Sequence, residues 1–358
     1  MKVGIIGCGN ISRIYLENAP RFANYTIEAV ADLVVERAEE RAKEYGILKA
    51  YSTDALLNDP EIELVINLTI PAVHADIAKR ALKQGKHVYG EKPLAVALED
   101  GEEMLKLAQE KGLYLGNAPD TSLGAGIQTV RKLIDEGEIG EPLSASAFMM
   151  GPGHESWHPD PAFYYKQGGG PMFDMGPYYL TTLIHLLGPA ARVTGSAQIS
   201  STERTITSQP KRGEKIEVEV PTQVNSVIDF ERGTVVSLIM SFDVQAHQLP
   251  HMEIYGTKGT ISVPDPNTFA GPVRMKTHDQ QEWKEVPLVA GYADNSRGLG
   301  VAEMVAAIKK QKVSRVTGEV GYHVLEIMHG VHHASTEQKH VILSSSCKQP
   351  EAFVNESF

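Results

Sequence analysis

Over its first third the chain alternates short apolar runs with amphipathic stretches. "KVGIIG" (2–7) has the continuous apolar character of a buried strand, and "ISRIYLENAPRF" follows with helical spacing. The rhythm repeats: "IEAVAD" (27–32), a charged helical stretch closed by Gly46, "LVINLT" (64–69), a helix ending at Gly85, "HVYGEK" (87–92), another helix, and "LYLGNAP". Strand and helix in turn at this spacing predict a parallel sheet covered on both faces. After about residue 120 the pattern changes. One helix over "IQTVRKLIDEGEIG" and a second over "GGGPMFDMGPYYLTTLIHLLG" precede long alternating runs from 190 to 290, and two helical segments, roughly 297–311 and 318–337, close the chain. Period-two alternation broken by Gly and Asp-Pro turns predicts a mostly antiparallel sheet. The expectation is an α/β chain of two domains: 1–120 dinucleotide-binding, 121–358 an α+β domain with a large open sheet.

Composition narrows the classes. With 358 residues there is room for two cores. Acidic residues outnumber basic ones, 45 to 34, and no basic run of five appears, which argues against a nucleic-acid partner. Cys8 and Cys347 are the two cysteines, too few for a disulfide framework or a zinc site. The apolar run at the start stops at Gly7, short of a signal-peptide core, and no stretch approaches the ~18 apolar residues of a membrane span. A cytoplasmic protein is expected, with no membrane partner.

The first strand runs into Gly7-Cys8-Gly9-Asn10-Ile11-Ser12, a dinucleotide loop with serine at its third glycine position. Gly7 permits a tight turn, Gly9 lets a pyrophosphate approach the backbone, and the helix beyond offers N–H groups. Ser12 is small enough for close packing, and its hydroxyl is a candidate phosphate ligand. Asp32 ends the second strand, where a carboxylate accepts from ribose hydroxyls and repels a 2′-phosphate. Leu33 and Val34 follow with no adjacent arginine, which favours NAD, although Arg37 leaves NADP open. A helix cap is the alternative role for Asp32.

Lys92 stands at the carboxyl end of a later strand, where ligands bind in such sheets. Pro93 restricts the lysine's backbone to extended conformations, so its side chain is held rather than free to wander. Here the chain resembles the Gfo/Idh/MocA oxidoreductases over nearly its whole length. The resemblance rests on Gly7-x-Gly9, on "NLTIPAVHADIAKRALKQGKHVYGEKPLA" (67–95), on "GGGPMFDMGPYYLTTLIHLLG" (168–188) and on "IYGTKGTISVP" (254–264). It implies that Lys92 transfers protons beside a nicotinamide, and that Thr69, Pro71, His74 and Glu91 line the cofactor cleft, with Ile70 splitting the usual Thr-Pro pair; a packing residue at the helix start is the alternative role for His74.

Asp174 and Tyr178 are four apart and share a helix face. Tyr178 stands where the family commonly has an acid–base histidine. An unperturbed phenol titrates near ~10, so it needs positive charge nearby to act as a base. Tyr179 is its adjacent rival, and His185 reads as a packed core residue. Candidate substrate-binding residues are Asp120 and Thr121, where relatives carry a Tyr-x-x-Arg-like pattern, and His154, Trp157, His158 and Lys166 in an aromatic-rich loop before the glycines. Aromatic faces stack on sugar rings. His154 and His158 have helical ligand spacing, but Pro159, Pro161 and the lack of a third ligand argue against a metal.

The expected activity is hydride transfer between a nicotinamide and a hydroxyl-bearing carbon of a sugar, anhydrosugar, glycoside or cyclitol. A homodimer or homotetramer through the open sheet is expected with it. Two alternatives stand beside it: a glycosidase that oxidises its substrate transiently, and a dinucleotide-binding sensor without catalysis.

Overall fold

Each early strand forms where apolar residues run without a break. In the computed structural model, which describes residues 1–353, 356 and 358, Val3, Ile5 and Ile6 of β1 (Lys2–Ile6) are buried completely or nearly so. Then come α1 (Ser12–Asn18), β2 (Thr26–Asp32), α2 (Val35–Tyr45), β3 (Lys49–Ser52), α3 (Thr53–Asn58) and β4 (Leu64–Asn67). The series continues with α4 (His74–Lys83), β5 (His87–Gly90), α5 (Leu98–Lys111) and β6 (Leu115–Asn117). Gly46 and Gly112 end α2 and α5 in the left-handed conformation. The strands form one sheet in the order β3-β2-β1-β4-β5-β6, parallel at every pairing. Order reverses at β1, which lies between β2 and β4, so the glycine loop leaves the sheet at its switch point. The pattern of apolar runs does not reveal β3, because it is a half-exposed edge strand, "KAYS".

The remainder opens with α6 (Ala125–Asp135), β7 (Pro142–Met150), α7 (Gly170–Leu187), β8 (Ala190–Gln198) and a short hairpin, β9 (Glu203–Thr205) with β10 (Lys215–Glu217). Then follow β11 (Gln223–Phe230), β12 (Val235–Ser241), β13 (Met252–Gly256), β14 (Gly259–Val263), β15 (Val273–Thr277) and β16 (Lys284–Val286). The chain closes with α8 (Leu299–Lys310), α9 (Gly318–Glu337) and β17 (Val341–Ile342). Nine strands form the second sheet in the order β16-β15-β14-β13-β7-β12-β11-β8-β17, and every pairing is antiparallel except β7 with β12. On β11, Val224, Ser226, Ile228 and Phe230 are buried while Asn225 and Val227 are exposed. α7 packs against β7, β11 and β12 and is almost wholly buried.

Two compact units result. The first comprises Met1–Gly124, Gly291–Leu325 and Phe353–Phe358, the second Ala125–Ala290 and Glu326–Ala352. The chain thus returns to the first unit after leaving it, with α8 and the start of α9, where the sequence suggested one crossing near residue 120. Among the described residues no helix is long and apolar enough to cross a membrane, and no group of three metal-ligating side chains occurs.

Candidate active site

Gly7 has φ +105°, and a side chain there would meet the carbonyl group of Leu68 at 2.6 Å. Only glycine fits. Gly9 differs: a Cβ there would meet nothing within 4 Å, so the loop offers bare, exposed backbone to a ligand. Asn10 is exposed beside it, and the N-terminus of α1 at Ile11 has no side-chain cap. These are the features a pyrophosphate requires. Asp32 accepts the Cys8 N–H at 2.8 Å on one oxygen and the Val34 N–H at 3.0 Å on the other. A carboxylate has about four acceptor positions, so two remain for ribose hydroxyls. The cap residue of α2 is Val34, not Asp32.

Ser12 departs from expectation. It is fully buried and its hydroxyl donates to Gly9 O at 2.7 Å, so its one proton is committed to the loop and not to phosphate. Beneath the loop lies Arg41 of α2, which the charged helix pattern concealed. Its guanidinium donates to Cys8 O at 3.2 Å and Gly9 O at 3.4 Å, and pairs with Glu44 at 2.6 Å.

Lys92 follows β5 in a turn tied down at successive residues. Asn117 donates its amide to Gly90 O and Glu91 O, both at 3.1 Å. Tyr15 of α1 donates to Glu91 Oε1 at 2.9 Å, and the Lys92 N–H donates to Glu91 Oε2 at 3.0 Å. Burial and the Glu91 carboxylate push the Tyr15 hydroxyl far up, so it stays a donor. His74 is 2% exposed; Nδ1 lies 2.8 Å from Pro93 O and Nε2 2.9 Å from Thr69 O. Its ring therefore joins two loops instead of lining the cofactor cleft, which corrects the sequence reading. Thr69 is likewise turned to the protein, donating through Oγ1 to Asn67 Oδ1 at 2.6 Å, and Pro71 opens a short turn before α4.

Asp120 and Thr121 are also corrected. They are 2% and 0% exposed, and Asp120 Oδ2 accepts the N–H groups of Gly298 and Gly300 at 2.9 and 3.0 Å. Burial pushes the Asp120 carboxyl up to about 6. Asp120 holds the start of α8 in the first unit, and Thr121 is buried beside it.

In the second unit, α7 is entered through three glycines. Gly168 and Gly170 have positive φ, and a side chain on Gly169 would strike Tyr164 O at 2.6 Å. This close passage brings the loop before them back over α7, where His154 Nε2 lies 3.4 Å from Asp174 Oδ2. Sequence spacing gave no sign of that pairing, because the two residues are twenty positions apart. His154 is stacked on Tyr164 at 3.8 Å and meets the edge of Phe242 at 4.6 Å. Trp157 and Phe163 remain 61% and 51% exposed. His158 Nδ1 accepts the Asp160 N–H at 3.0 Å. The Lys166 ammonium pairs with Glu219 at 2.6 Å in an exposed ion pair. Tyr178 is buried on the Asp174 face. Tyr179 bonds Phe148 O at 3.3 Å and His251 Nδ1 at 3.2 Å, and His185 is 1% exposed, so both belong to the core.

With this geometry in place, comparison with known proteins identifies the chain's relatives. Residues 1–118 match the family model described as oxidoreductase family, NAD-binding Rossmann fold, and residues 127–262 match the GFO/IDH/MocA C-terminal domain. The chain is 28% identical over 264 residues to the 1,5-anhydro-D-fructose reductase of Ensifer adhaerens, covering 72% of this chain and 74% of that protein. It is 26% identical over 176 residues to the myo-inositol 2-dehydrogenase of Thermotoga maritima, covering 49% and 51%. A levoglucosan dehydrogenase solved with NADH and L-sorbose superposes with a TM-score of 0.84 at 21% identity, covering 96% of this chain and 99% of that one, a likeness of fold. The chain belongs to the GFO/IDH/MocA family and is an NAD(P)-dependent oxidoreductase.

Proposed function

We propose that the protein interconverts a hydroxyl and a carbonyl on a sugar, anhydrosugar, glycoside or cyclitol, with NAD as the hydride carrier. The observation that carries this reading is the Lys92 turn: a lysine at the carboxyl end of β5, held residue by residue by Asn117, Tyr15 and His74. Relatives named for anhydrofructose, inositol and levoglucosan support the substrate class. Asp32, flanked by the uncharged Leu33 and Val34, supports NAD over NADP, and Arg41 is already engaged by the loop carbonyls and Glu44.

The nicotinamide, when bound, takes the hydride from the carbinol carbon. Lys92, in the first unit, is the group that carries away the hydroxyl proton in this reading; in the second unit Tyr178 and Asp174, the latter held by His154, are the groups that act on the substrate. Trp157 and Phe163 offer exposed faces for the apolar side of a ring. A homodimer or homotetramer belongs to the same reading, because β11 and β12 present Val227 and Val235 outward on a broad sheet face.

NADH formation from NAD⁺ and a panel of pyranoses, anhydrosugars and inositols tests this. Lys92→Ala is expected to lower turnover by roughly 10²–10⁴-fold, and Tyr178→Phe to lower it substantially. Full turnover by Tyr178→Phe would remove the tyrosine from the relay. Absence of NADH with every substrate, while NAD⁺ still binds, would overturn the dehydrogenase reading.

A further inference from the structure

His74 faces an unusual pair of partners. Both ring nitrogens lie within hydrogen-bond distance of a carbonyl oxygen, Pro93 O at 2.8 Å and Thr69 O at 2.9 Å. Carbonyl oxygens only accept. A neutral imidazole has one N–H, so it donates to one carbonyl and sets a lone pair against the other; a doubly protonated ring donates to both. Each carbonyl belongs to a different strand-end loop. Thr69 follows β4, and its N–H and hydroxyl are bound to Asn67 Oδ1, while the Asn67 amide donates to His74 O at 2.9 Å. Pro93 directly follows Lys92. The ring is thus the side chain that joins the Lys92 turn to the end of β4, from the first residue of α4.

We propose that His74 is a positioning residue for Lys92, its ring set between the carbonyls of Pro93 and Thr69 so that the lysine is presented from a fixed turn. The role rests on Lys92 as the proton-transfer group of the reading above. From the loop after β5, the Glu91 carboxylate favours the charged ring and the Lys92 ammonium opposes it, while burial holds the ring's titration below its ordinary range. Burial favours the neutral ring, which donates to one of the two carbonyls and packs against the other. Losing the ring removes the side-chain tie at Pro93 and Thr69 and leaves the backbone bond from the Glu91 N–H to Asn67 O.

The test uses the full-length protein with His74→Leu, which removes every donor, and, as a milder change, His74→Gln, whose amide keeps N–H donors for the carbonyls. Amide hydrogen exchange reads the tie without reference to activity. Protection across residues 67–70 and 90–94 is expected to fall about tenfold in His74→Leu, the loss of one or two hydrogen bonds, and less in His74→Gln. With an oxidised substrate from the panel, kcat of His74→Leu is expected to fall roughly 10–100-fold, the cost of a misplaced group, with NAD⁺ affinity little changed. The kcat–pH profile should move toward the ~10.4 of a free lysine, which a purely structural loss would not produce. Unchanged protection in both variants overturns the tie. Reduced protection with an unchanged kcat–pH profile overturns the positioning role while leaving the tie. If the wild type oxidises nothing on the panel, the dehydrogenase reading fails, and exchange still decides the tie. Should His74→Leu not fold, His74→Gln carries both measurements.

Discussion

The Lys92 turn and the loop leading to Asp174 are both irregular segments that fix a polar side chain, yet they are fixed by different forces. The turn is held by single hydrogen bonds from neutral or hydrogen-bonded groups, Asn117, Tyr15 and His74, each reaching a backbone or carboxylate oxygen. The loop is held by rings and charges. His154 stacks on Tyr164, and the adjacent Glu155 binds Arg204 at 3.0 Å. Arg204 also pairs with Asp243 and lies over the Tyr165 ring. The Glu155 carbonyl further accepts the N–H groups of Thr207 and Ser208 beside the short β9–β10 hairpin. Hydrogen bonds to backbone oxygens fix position closely and individually contribute little, about 0.5–1.5 kcal/mol each. A half-buried ion cluster is the reverse: intact it is close to neutral in net energy, but removing one member leaves charges stranded.

The largest expected effect is therefore in the second unit. Arg204→Met removes the cation shared by Glu155 and Asp243, both of which are largely buried. A loss of about 3–5 kcal/mol in unfolding free energy is expected, with protease cleavage appearing first within 151–169 and NAD⁺ binding retained by the folded protein. A loss below ~1 kcal/mol, the range of an exposed ion pair, would show that the rings hold the loop and the ion cluster does not.

How much of this was legible beforehand follows the same division. Segments that declare themselves by local pattern were readable: the six-strand alternation apart from β3, the long strands β8 and β11 to β14, the glycine loop, Asp32, Lys92 and the Asp174 helix. Each is fixed by neighbours in the chain, by apolar runs or by a glycine whose φ or clearance forbids a side chain. The partners were not readable. Tyr15 looks like an ordinary apolar position of α1, Arg41 like one charge among many in α2, and Arg204 lies 49 residues from Glu155. The errors share a cause. Ser12, His74 and Asp120 read as ligand-binding because polar residues stand near strand ends, and the fold satisfies all three internally with backbone groups. A polar side chain near a site binds the protein unless it is exposed, and sequence does not report exposure. Proximity of His154 to Asp174 is a property of the loop's return over three glycines, which no spacing rule contains.

A second, smaller effect separates the two glycines of the loop. Gly9→Val places its side chain in open space, so unfolding free energy is expected to stay within about 0.5 kcal/mol, whereas NAD⁺ affinity should fall roughly tenfold or more, about 1.4 kcal/mol. Gly7→Ala should do the opposite first, destabilising the fold through the 2.6 Å approach to Leu68 and the φ of +105°. Titration of NAD⁺ against each variant, paired with denaturant unfolding, measures both. Unaltered NAD⁺ affinity in Gly9→Val would show that the exposed backbone is not where the dinucleotide lies.

The smallest effect sharpens the contrast between neutral ties and charges. Asp120 is a buried carboxylate whose oxygen accepts two backbone N–H groups, with its carboxyl pushed up to about 6 from an ordinary 3.8. The folded state therefore binds its proton more tightly than the unfolded chain does. Stability from this group is fully present below about pH 3.8 and is lost as pH rises through about 6. At neutral pH the ionised carboxylate costs on the order of a few kcal/mol, at ~1.36 kcal/mol per pKa unit. Asp120→Asn keeps an amide oxygen for Gly298 and Gly300 and cannot ionise. Relative to the wild type, the variant should therefore gain stability between pH 4 and 7, by a kcal/mol or so once the weaker amide acceptor is allowed for. Paired denaturant melts across that range measure the difference. A difference that does not vary with pH would mean that Asp120 is already ionised at no cost, held by its two N–H donors and the Arg297 charge. The first unit would then hold a buried carboxylate on two backbone N–H groups with Arg297 near it, whereas the second unit sets Arg204 directly between Glu155 and Asp243.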